Sequence, residues 1–169
     1  SVHESCPATK FIVSGFSQGA VIAGDVADEI GGGQGAVPAE SIAGVALIAD
    51  GRRQNGVGQN PGRKVGGVGA EIALQPVSGL VQPIVPGASM RGARPNGFGS
   101  LADRTFQICA PNDSVCDAPP NVSNALERAQ GLIAANGVHA QYASNSGVID
   151  GTTANQWVVG WARQLIDAA

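Results

Sequence analysis

Apolar residues follow two alternating patterns along this chain: short uninterrupted runs, and repeats at every third or fourth position. The runs suit strands buried in a parallel sheet, and they occur at Lys10–Ser14, Ile42–Ile48 and Arg104–Ala110. The repeats predict helices over Gln18–Ile30, Asn121–Asn136 and Thr153–Asp167. Because the predicted strands alternate with helices, the sequence indicates an α/β fold with a central parallel sheet.

The first and last predicted helices offer different faces for packing. In the first helix, Ile22, Val26 and Ile30 fall on one face. Small residues would let this helix approach a sheet closely, and they are Gly19, Ala20, Ala23, Gly24 and Ala27. In the last helix, Trp157 and Trp161 belong to an apolar stripe, so we predict that both lie in the core rather than stack on a ligand.

The middle helix carries boundary signals of its own. Asn121 or Ser123 is suited to cap its start, and the pair Asn136-Gly137 is suited to end it. Its predicted apolar stripe consists of Val122, Leu126, Ala129 and Ile133.

Residues 51–100 interrupt the alternation with glycine, proline, asparagine, glutamine and arginine. Only Ala70–Leu74 and Leu80–Val85 have an ordered pattern there, and irregular segments of such length are usually functional. The segment holds a small basic cluster that we interpret as solvated surface, with anionic lipid headgroups as the alternative partner. The cluster consists of Arg52, Arg53, Arg63 and Lys64.

Composition narrows the class of protein. The chain has 169 residues, 43% of them hydrophobic, which is enough for one domain over residues 1–169 with a real core. The net charge of -3 argues against nucleic acid as the main partner, because binding phosphates needs a clustered basic face. The longest apolar run, Ile42–Ala49, is too short to span a bilayer.

The sharpest chemical signal is the G-x-S-x-G sequence from Gly15 to Gly19, with Ser17 at its centre. It lies between a predicted strand and a predicted helix, the context in which this motif holds a nucleophilic serine on a sharp turn. Side chains at the flanking positions would collide, which explains the glycines. The N–H of Gln18, at the start of the helix, is the natural first donor to an oxyanion. The alternative is an ordinary glycine-rich turn.

A nucleophilic serine needs a base, and the chain has two histidines. His139 follows Ser17 in the order serine, acid, histidine that α/β-hydrolases use, whereas His3 precedes it in an unpatterned stretch. The acid should lie between them, after a strand. Asp113 is the favoured candidate and Asp50, which also ends a predicted strand, is the second.

Two further carboxylates between Ser17 and His139, Asp103 and Asp117, are interpreted as solvated loop charges.

Three cysteines leave one without a partner in the chain. Cys109 and Cys116 are close together, and the simplest interpretation is a short bridge that closes a loop around Asp113. A pair of buried thiols or part of a metal site is the alternative, although no C-x-x-C pattern supports zinc. Cys6 would then have its partner outside this chain.

Three segments together resemble the cutinase family of serine esterases. They are G-F-S-Q-G-A around Ser17, C-A-P-N-D-S-V-C around Asp113 and V-H-A-Q-Y around His139. The resemblance covers residues 5–50 and 100–168, and the C-x-x-x-D-x-[VI]-C element is its most specific part. The glycine- and alanine-rich composition and the A-D-G-R-R-Q sequence are most similar to the cutinase-like esterases of mycobacteria and their relatives, a subgroup associated with lipid, phospholipid and thioester acyl bonds.

The resemblance implies a three-layer α/β-hydrolase fold and a division of roles within one site. Ser17 would be the nucleophile, Asp113 the orienting acid and His139 the base, with one oxyanion N–H from Gln18. It also implies a disulfide between Cys109 and Cys116, and a reaction that needs no cofactor or metal. Residues 51–100 exceed the compact family plan, and we expect them to form a lid or a wall for an acyl chain.

The family pattern also includes a stretch before Cys6 that contributes a strand, a second oxyanion donor and the partner of that cysteine. We therefore expect a fold that is incomplete at its N-terminus and a separate segment that bridges Cys6.

The expected function is hydrolysis of lipid-like carboxylic esters by a secreted or cell-envelope protein, with peripheral membrane contact as a further expectation. The alternatives are an acetylxylan-type carbohydrate esterase and a non-catalytic fragment that binds lipid or the envelope.

Overall fold

The computed structural model describes residues 1–134 and 137–169, and over these residues three parallel strands form one sheet in the order β1-β2-β3. The strands are β1 (Phe11–Phe16), β2 (Ile42–Ile48) and β3 (Thr105–Ile108). The α-helices are α1 (Val2–Ser5), α2 (Gln18–Gly31), α3 (Ala70–Ala73), α4 (Ser78–Val81), α5 (Ala125–Ile133) and α6 (Ala154–Asp167). Short 3₁₀ helices cover Ala39–Ser41, Gln75–Val77 and Gly99–Arg104.

Parallel pairing brings the carboxyl ends of the three strands to one edge of the sheet. Phe16, the last residue of β1, pairs with Ile48 of β2, and Ile48 pairs with Ile108 of β3. The loops that follow Phe16, Ile48 and Ile108 therefore start side by side, and ligands of open α/β sheets bind at that edge.

Helices α2 and α6 cover opposite faces of the sheet. A Cβ at Gly44 of β2 would collide with Trp161 of α6, whereas a Cβ at Gly24 of α2 would touch Leu47 of β2. Gly44 and Leu47 are three residues apart, so their side-chain positions point to opposite faces. The prediction for the tryptophans is confirmed for Trp161, which is buried. Trp157 is partly buried and packs against a core cluster, and the two rings stack 6.0 Å apart.

The predicted stripe on α2 is wrong in part. Ile30 is buried, but Ile22 and Val26 are 62% and 46% exposed. The sheet is instead met by the small residues, with Ala20 and Ala27 fully buried. A helix with small residues on one face can approach a sheet closely, and the bulkier face then turns to solvent.

Helix α5 is shorter than predicted and buries a different face. It begins at Ala125 after Asn124, and neither Asn121 nor Ser123 caps it. Ala129 is fully buried and Leu132 is partly buried, packed on the cluster around α4. The remaining members of the predicted stripe are exposed: Val122, Leu126 and Ile133. The predicted stop at Asn136 lies outside the described residues.

Residues 51–100 contain α3 and α4 and pack beside α2 and α5. The interpretation of the basic cluster as solvated surface is wrong for half of its members. Arg52 and Arg53 are buried, at 9% and 6% exposure, whereas Arg63 and Lys64 are exposed. None of the helices that the structure describes is long and apolar enough to cross a membrane.

Candidate active site

Ser17 lies on a sharp turn between β1 and α2. Its φ of 55° and ψ of -121° fall in a region that a serine rarely adopts, and its N–H donates to the Ile48 carbonyl at 2.9 Å. A Cβ at Gly15 would collide with the backbone of Gly19, so the tight turn requires glycine there. A Cβ at Gly19 would meet nothing, so steric need does not explain the second glycine of the motif.

The structure brings Ser17, His139 and Asp113 together. The Nε2 atom of His139 is 2.8 Å from Ser17 Oγ, and its Nδ1 atom is 3.1 and 3.0 Å from the two carboxylate oxygens of Asp113. Asp113 is fully buried, and the His139 side chain is 12% exposed. The imidazole therefore stands between a hydroxyl and a carboxylate, with one ring nitrogen facing each.

Burial opposes the ionised form of Asp113, but hydrogen bonds outweigh it and lower the pKa of this carboxyl below its ordinary value. The donors are His139, the Tyr142 hydroxyl and the Val115 N–H, which is 2.9 Å from Oδ1. An ionised carboxylate only accepts hydrogen bonds, so Nδ1 of His139 must be the donor in that contact. In the neutral imidazole, Nε2 is then free to accept a proton from Ser17.

A disulfide between Cys109 and Cys116 closes the loop around Asp113, as predicted. The buried Arg53 supports this loop from outside, because its Nε donates to the Cys116 carbonyl at 2.8 Å and it also bonds the Gly67 carbonyl. The acid is thus held by a covalent ring and by a cation from residues 51–100. Cys6 is exposed and makes no disulfide with a described residue.

Two aromatic residues complete the surroundings of the imidazole, and sequence reasoning missed both. The ring of Phe16 stacks on His139 with centroids 5.0 Å apart and meets Tyr142 edge-on at 5.7 Å. The Tyr142 hydroxyl donates to Asp113 Oδ2 at 2.7 Å. Phe16 is inside the G-F-S-Q-G-A segment and Tyr142 inside V-H-A-Q-Y, so adjacency to motif residues was the available signal.

An apolar cavity of about 560 Å³ opens beside Ser17 and Gln18. Much of its apolar lining comes from α2, the segment 85–90 and α5, through Val21, Ile22, Val85, Ala88, Met90 and Leu132, and Ala70 and Val115 add to it. Two charged residues, Glu71 and Arg91, also line it and pair with each other at 3.3 Å. The cavity therefore presents mostly hydrocarbon next to the serine hydroxyl.

Comparison with known proteins identifies the family of this chain. A protein-family model described as Cutinase matches residues 1–160. The chain belongs to the cutinase family. It is also 65% identical over 167 residues to a protein of Corynebacterium glutamicum named "Carboxylesterase Culp6 homolog". That match covers 99% of this chain and 54% of the relative, so this cutinase-family chain spans about half the length of the curated relative it matches.

The cutinase family has an α/β-hydrolase fold, and the parallel sheet with helices on both sides agrees with it. The fold class expected from the sequence is confirmed.

The other candidate residues of this cutinase-family chain lie in different surroundings. Asp50 is fully buried, but its carboxylate pairs with Arg94 and not with an imidazole. His3 is in α1, where its buried Nδ1 has no hydrogen-bond partner among the described residues. Asp103 is exposed as predicted, whereas Asp117 is partly buried and accepts from the N–H groups of residues 67 and 112.

Proposed function

We propose that this chain is the catalytic part of a serine carboxylic ester hydrolase. The observation that carries the proposal is the hydrogen-bonded series from Ser17 Oγ through His139 to the ionised Asp113. A serine hydroxyl becomes a useful nucleophile when a base accepts its proton and a third group orients that base. Membership of the cutinase family supports the same reaction class.

In the proposed mechanism, His139 Nε2 takes the proton of Ser17 while Oγ attacks the ester carbonyl carbon. The carbonyl oxygen becomes an oxyanion, and the Gln18 N–H donates to it, because the first N–H groups of a helix have no partner within that helix. His139 then returns the proton to the leaving alcohol, and an acyl group remains on Ser17. Water repeats the sequence and releases the carboxylic acid.

The apolar cavity beside Ser17 supports a lipid-like acyl group as the substrate. An acyl chain that packs against hydrocarbon side chains such as Met90 and Leu132 is removed from water. This burial is favourable by roughly 25 cal/mol for each Å² of apolar surface. The two charges at the cavity are already engaged, because Arg91 pairs with Glu71 and also with Asp25. Residues 51–100 would thus act as one wall of the acyl site, since they supply the segment 85–90.

Labelling with a fluorophosphonate tests the reaction. We expect one label per chain, no label in Ser17→Ala, and no hydrolysis of a short soluble ester by that variant. Labelling that persists in Ser17→Ala, or a folded wild-type chain that takes no label, contradicts the proposal and leaves a non-catalytic lipid- or envelope-binding role as the alternative.

A series of esters from acetyl to long acyl tests the substrate class. Ala88 is in the cavity wall, so Ala88→Trp should lower kcat/KM for long esters by about tenfold or more relative to acetyl esters. Ile166→Trp is the matched control, because Ile166 is 64% exposed on α6. A wild-type preference for acetyl esters of sugars would favour the acetylxylan-type alternative.

We also propose that a segment outside this chain pairs with the open edge of β1 and with Cys6. Over the described residues β1 pairs with β2 alone, and an exposed strand edge is a template for another strand. An apolar cavity of about 440 Å³, lined in part by Ser14, Phe16 and Val158, lies beside that edge. Such a segment would supply the second oxyanion donor.

Peptide mapping of the protein isolated without reductant tests this pairing. A Cys6 peptide joined by a disulfide to a second peptide is the expected result. A free Cys6 thiol in the isolated protein would contradict it.

Secretion or an envelope location, with peripheral contact to lipid, completes the proposal. The disulfide supports an oxidising compartment. Exposed apolar side chains on helices near the acyl cavity, Ile22 on α2 and Ile133 on α5, support contact with lipid. The buried Arg52 and Arg53 do not contribute to binding anionic headgroups.

A further inference from the structure

Tyr142 connects the two segments that carry the acid and the base. It is 3% exposed, and its hydroxyl donates to Asp113 Oδ2 at 2.7 Å while it accepts from the Ala110 N–H at 2.8 Å. Ala110 and Asp113 belong to the disulfide-closed loop, and Tyr142 follows His139 by three residues. One side chain of the histidine segment is therefore bonded at two points to the loop of the acid.

The hydroxyl proton has a single destination. The Sγ atom of Cys116 lies 3.4 Å from the Tyr142 oxygen, but a disulfide sulfur has no hydrogen to give and accepts only weakly. Asp113 Oδ2 is closer and charged, so it takes the proton. Ala110 N–H fills a lone pair of the same oxygen, which fixes the direction of the O–H bond.

The donor stays protonated under any working condition. Burial and the neighbouring Asp113 carboxylate raise the pKa of Tyr142 well above its ordinary value. The other charged or titratable groups that act on this pair are Arg53, behind the disulfide loop, and His139 in front. The tyrosine thus remains a neutral hydrogen-bond donor while His139 gains and loses its proton.

The Asp113 carboxylate is held at both oxygens. Val115 N–H donates to Oδ1 from within the acid loop, and Tyr142 donates to Oδ2 from the histidine segment. Both oxygens also face Nδ1 of His139, at 3.1 and 3.0 Å. Without the tyrosine hydroxyl, Oδ2 would keep only its contact with the imidazole, and the carboxylate could rotate together with or away from that ring.

We propose that Tyr142 is a positioning residue that locks the Asp113 carboxylate against His139 and limits the negative charge that the imidazole experiences. The inference rests on the proposed esterase function. The O–H dipole aims its positive end at the carboxylate, so it offsets part of the attraction of Asp113 for a proton on His139.

The test is Tyr142→Phe, which keeps the ring that meets Phe16 and removes only the hydroxyl. We expect kcat to fall by about 10- to 100-fold, as for a lost hydrogen bond to a charged group, with KM within about twofold. In the pH profile of kcat/KM, the acid limb, where activity falls at low pH, should move to higher pH. The reason is that the freed carboxylate holds a proton on His139 more strongly.

The matched control is Thr105→Val, which also removes one buried hydroxyl hydrogen bond, from Thr105 Oγ1 to the Leu101 carbonyl at 2.8 Å, away from the site. It should lower stability without moving the acid limb. A folded Tyr142→Phe protein with wild-type kcat and an unmoved acid limb overturns the proposal. An equal shift of the acid limb in Tyr142→Phe and Thr105→Val also overturns the proposal, since it would reflect a general loss of stability.

A readout that does not need activity separates this proposal from the proposed function. The chain has two histidines, so ring ¹⁵N shifts assigned with His139→Gln report which His139 nitrogen carries the proton. We expect Nδ1 to be protonated in the wild type and the shifts to change in Tyr142→Phe. A change in a protein that hydrolyses no ester would support the positioning contact and refute the esterase. Unchanged shifts in an active enzyme would refute the positioning role alone.

Discussion

Asp50 and Asp113 follow neighbouring strands and are both fully buried, yet their carboxylates have different partners. Asp50 follows β2 and forms a two-point ion pair with Arg94, at 2.6 and 3.0 Å. Asp113 follows β3 and faces an imidazole and a phenol. The partner of the first carboxylate is a guanidinium, which only donates hydrogen bonds, whereas the partner of the second is an imidazole, a side chain that can act as a general acid or base.

The surroundings of Asp50 extend this contrast. Its carboxylate also accepts from the Arg52 N–H at 3.0 Å and from Gln107 Nε2 at 3.1 Å, and Arg94 and Arg52 both pair with Asp25 of α2. These bonds tie β2, α2 and residues 51–100 together. Burial beyond a strand end is therefore common to both carboxylates, and it is the chemistry of the partner that makes Asp113, and not Asp50, the candidate for a catalytic acid.

The largest expected effect comes from removing the carboxylate of Asp113. Asp113→Asn should lower kcat by roughly 10⁴-fold, because the amide cannot hold His139 in the tautomer that accepts the serine proton. Ester hydrolysis and the rate of fluorophosphonate labelling should fall together. A variant that retains more than a tenth of the wild-type kcat would assign the acid role elsewhere.

The reverse experiment is Asp50→Asn, which should lower the free energy of unfolding by about 3 kcal/mol because it leaves the buried Arg94 without its two-point partner. Hydrolysis per folded molecule should stay within about threefold of the wild type. Urea unfolding and active-site titration measure the two quantities separately. A stable but inactive Asp50→Asn protein would reverse the assignments of the two carboxylates.

The disulfide distinguishes the two carboxylates further, since it closes a loop around Asp113 and not around Asp50. Replacing Cys109 and Cys116 together by serine should cost about 2.5 kcal/mol of stability, the loop-closure value for so short a ring. We expect kcat to fall more than KM rises, because the acid loses a fixed position. Cys6→Ser is the matched control, as Cys6 is exposed and outside the site; equal losses in both would remove the special role of the ring.

The smallest expected effect is a dependence of stability on pH that belongs to Asp113. Its pKa is lower in the folded protein than its ordinary value of 3.8, so its charge stabilises the fold above that value. This contribution disappears as the pH falls through the folded pKa. The difference in unfolding free energy between wild type and Asp113→Asn should therefore narrow in acid; a difference that is constant with pH would contradict the lowered pKa.

Local patterns in the sequence predict the strands well and the contacts between distant segments poorly. Strand β2 has the predicted bounds, because the limits of its uninterrupted apolar run mark where the buried strand begins and ends. Strand β1 extends to Phe16 rather than Ser14, since the turn residues themselves pair with β2. The stripe of α5 was misjudged because the neighbour that covers a helix decides which face is buried, and α5 packs beside α4.

The candidate site divides in the same way. Ser17, Asp113 and His139 each lie in a short recognisable segment, so sequence reasoning could nominate them, although their roles stay a prediction. The pairing of Asp50 with Arg94 spans 44 residues and left no local trace. Nothing in the sequence distinguished the buried Arg53 from the exposed Arg63, because burial there depends on where residues 51–100 fold back.

The distance along the chain between the site residues has a consequence for how the protein folds. Ser17 and His139 are 122 residues apart in sequence but in hydrogen-bond contact, whereas β1 and α2 adjoin directly. A contact with such large sequence separation closes a long loop, and the entropy cost of closing that loop must be met before the contact stabilises the fold. Recovery of hydrolysis during refolding should therefore lag behind recovery of helix and sheet signals, which makes activity a reporter of the final folding step.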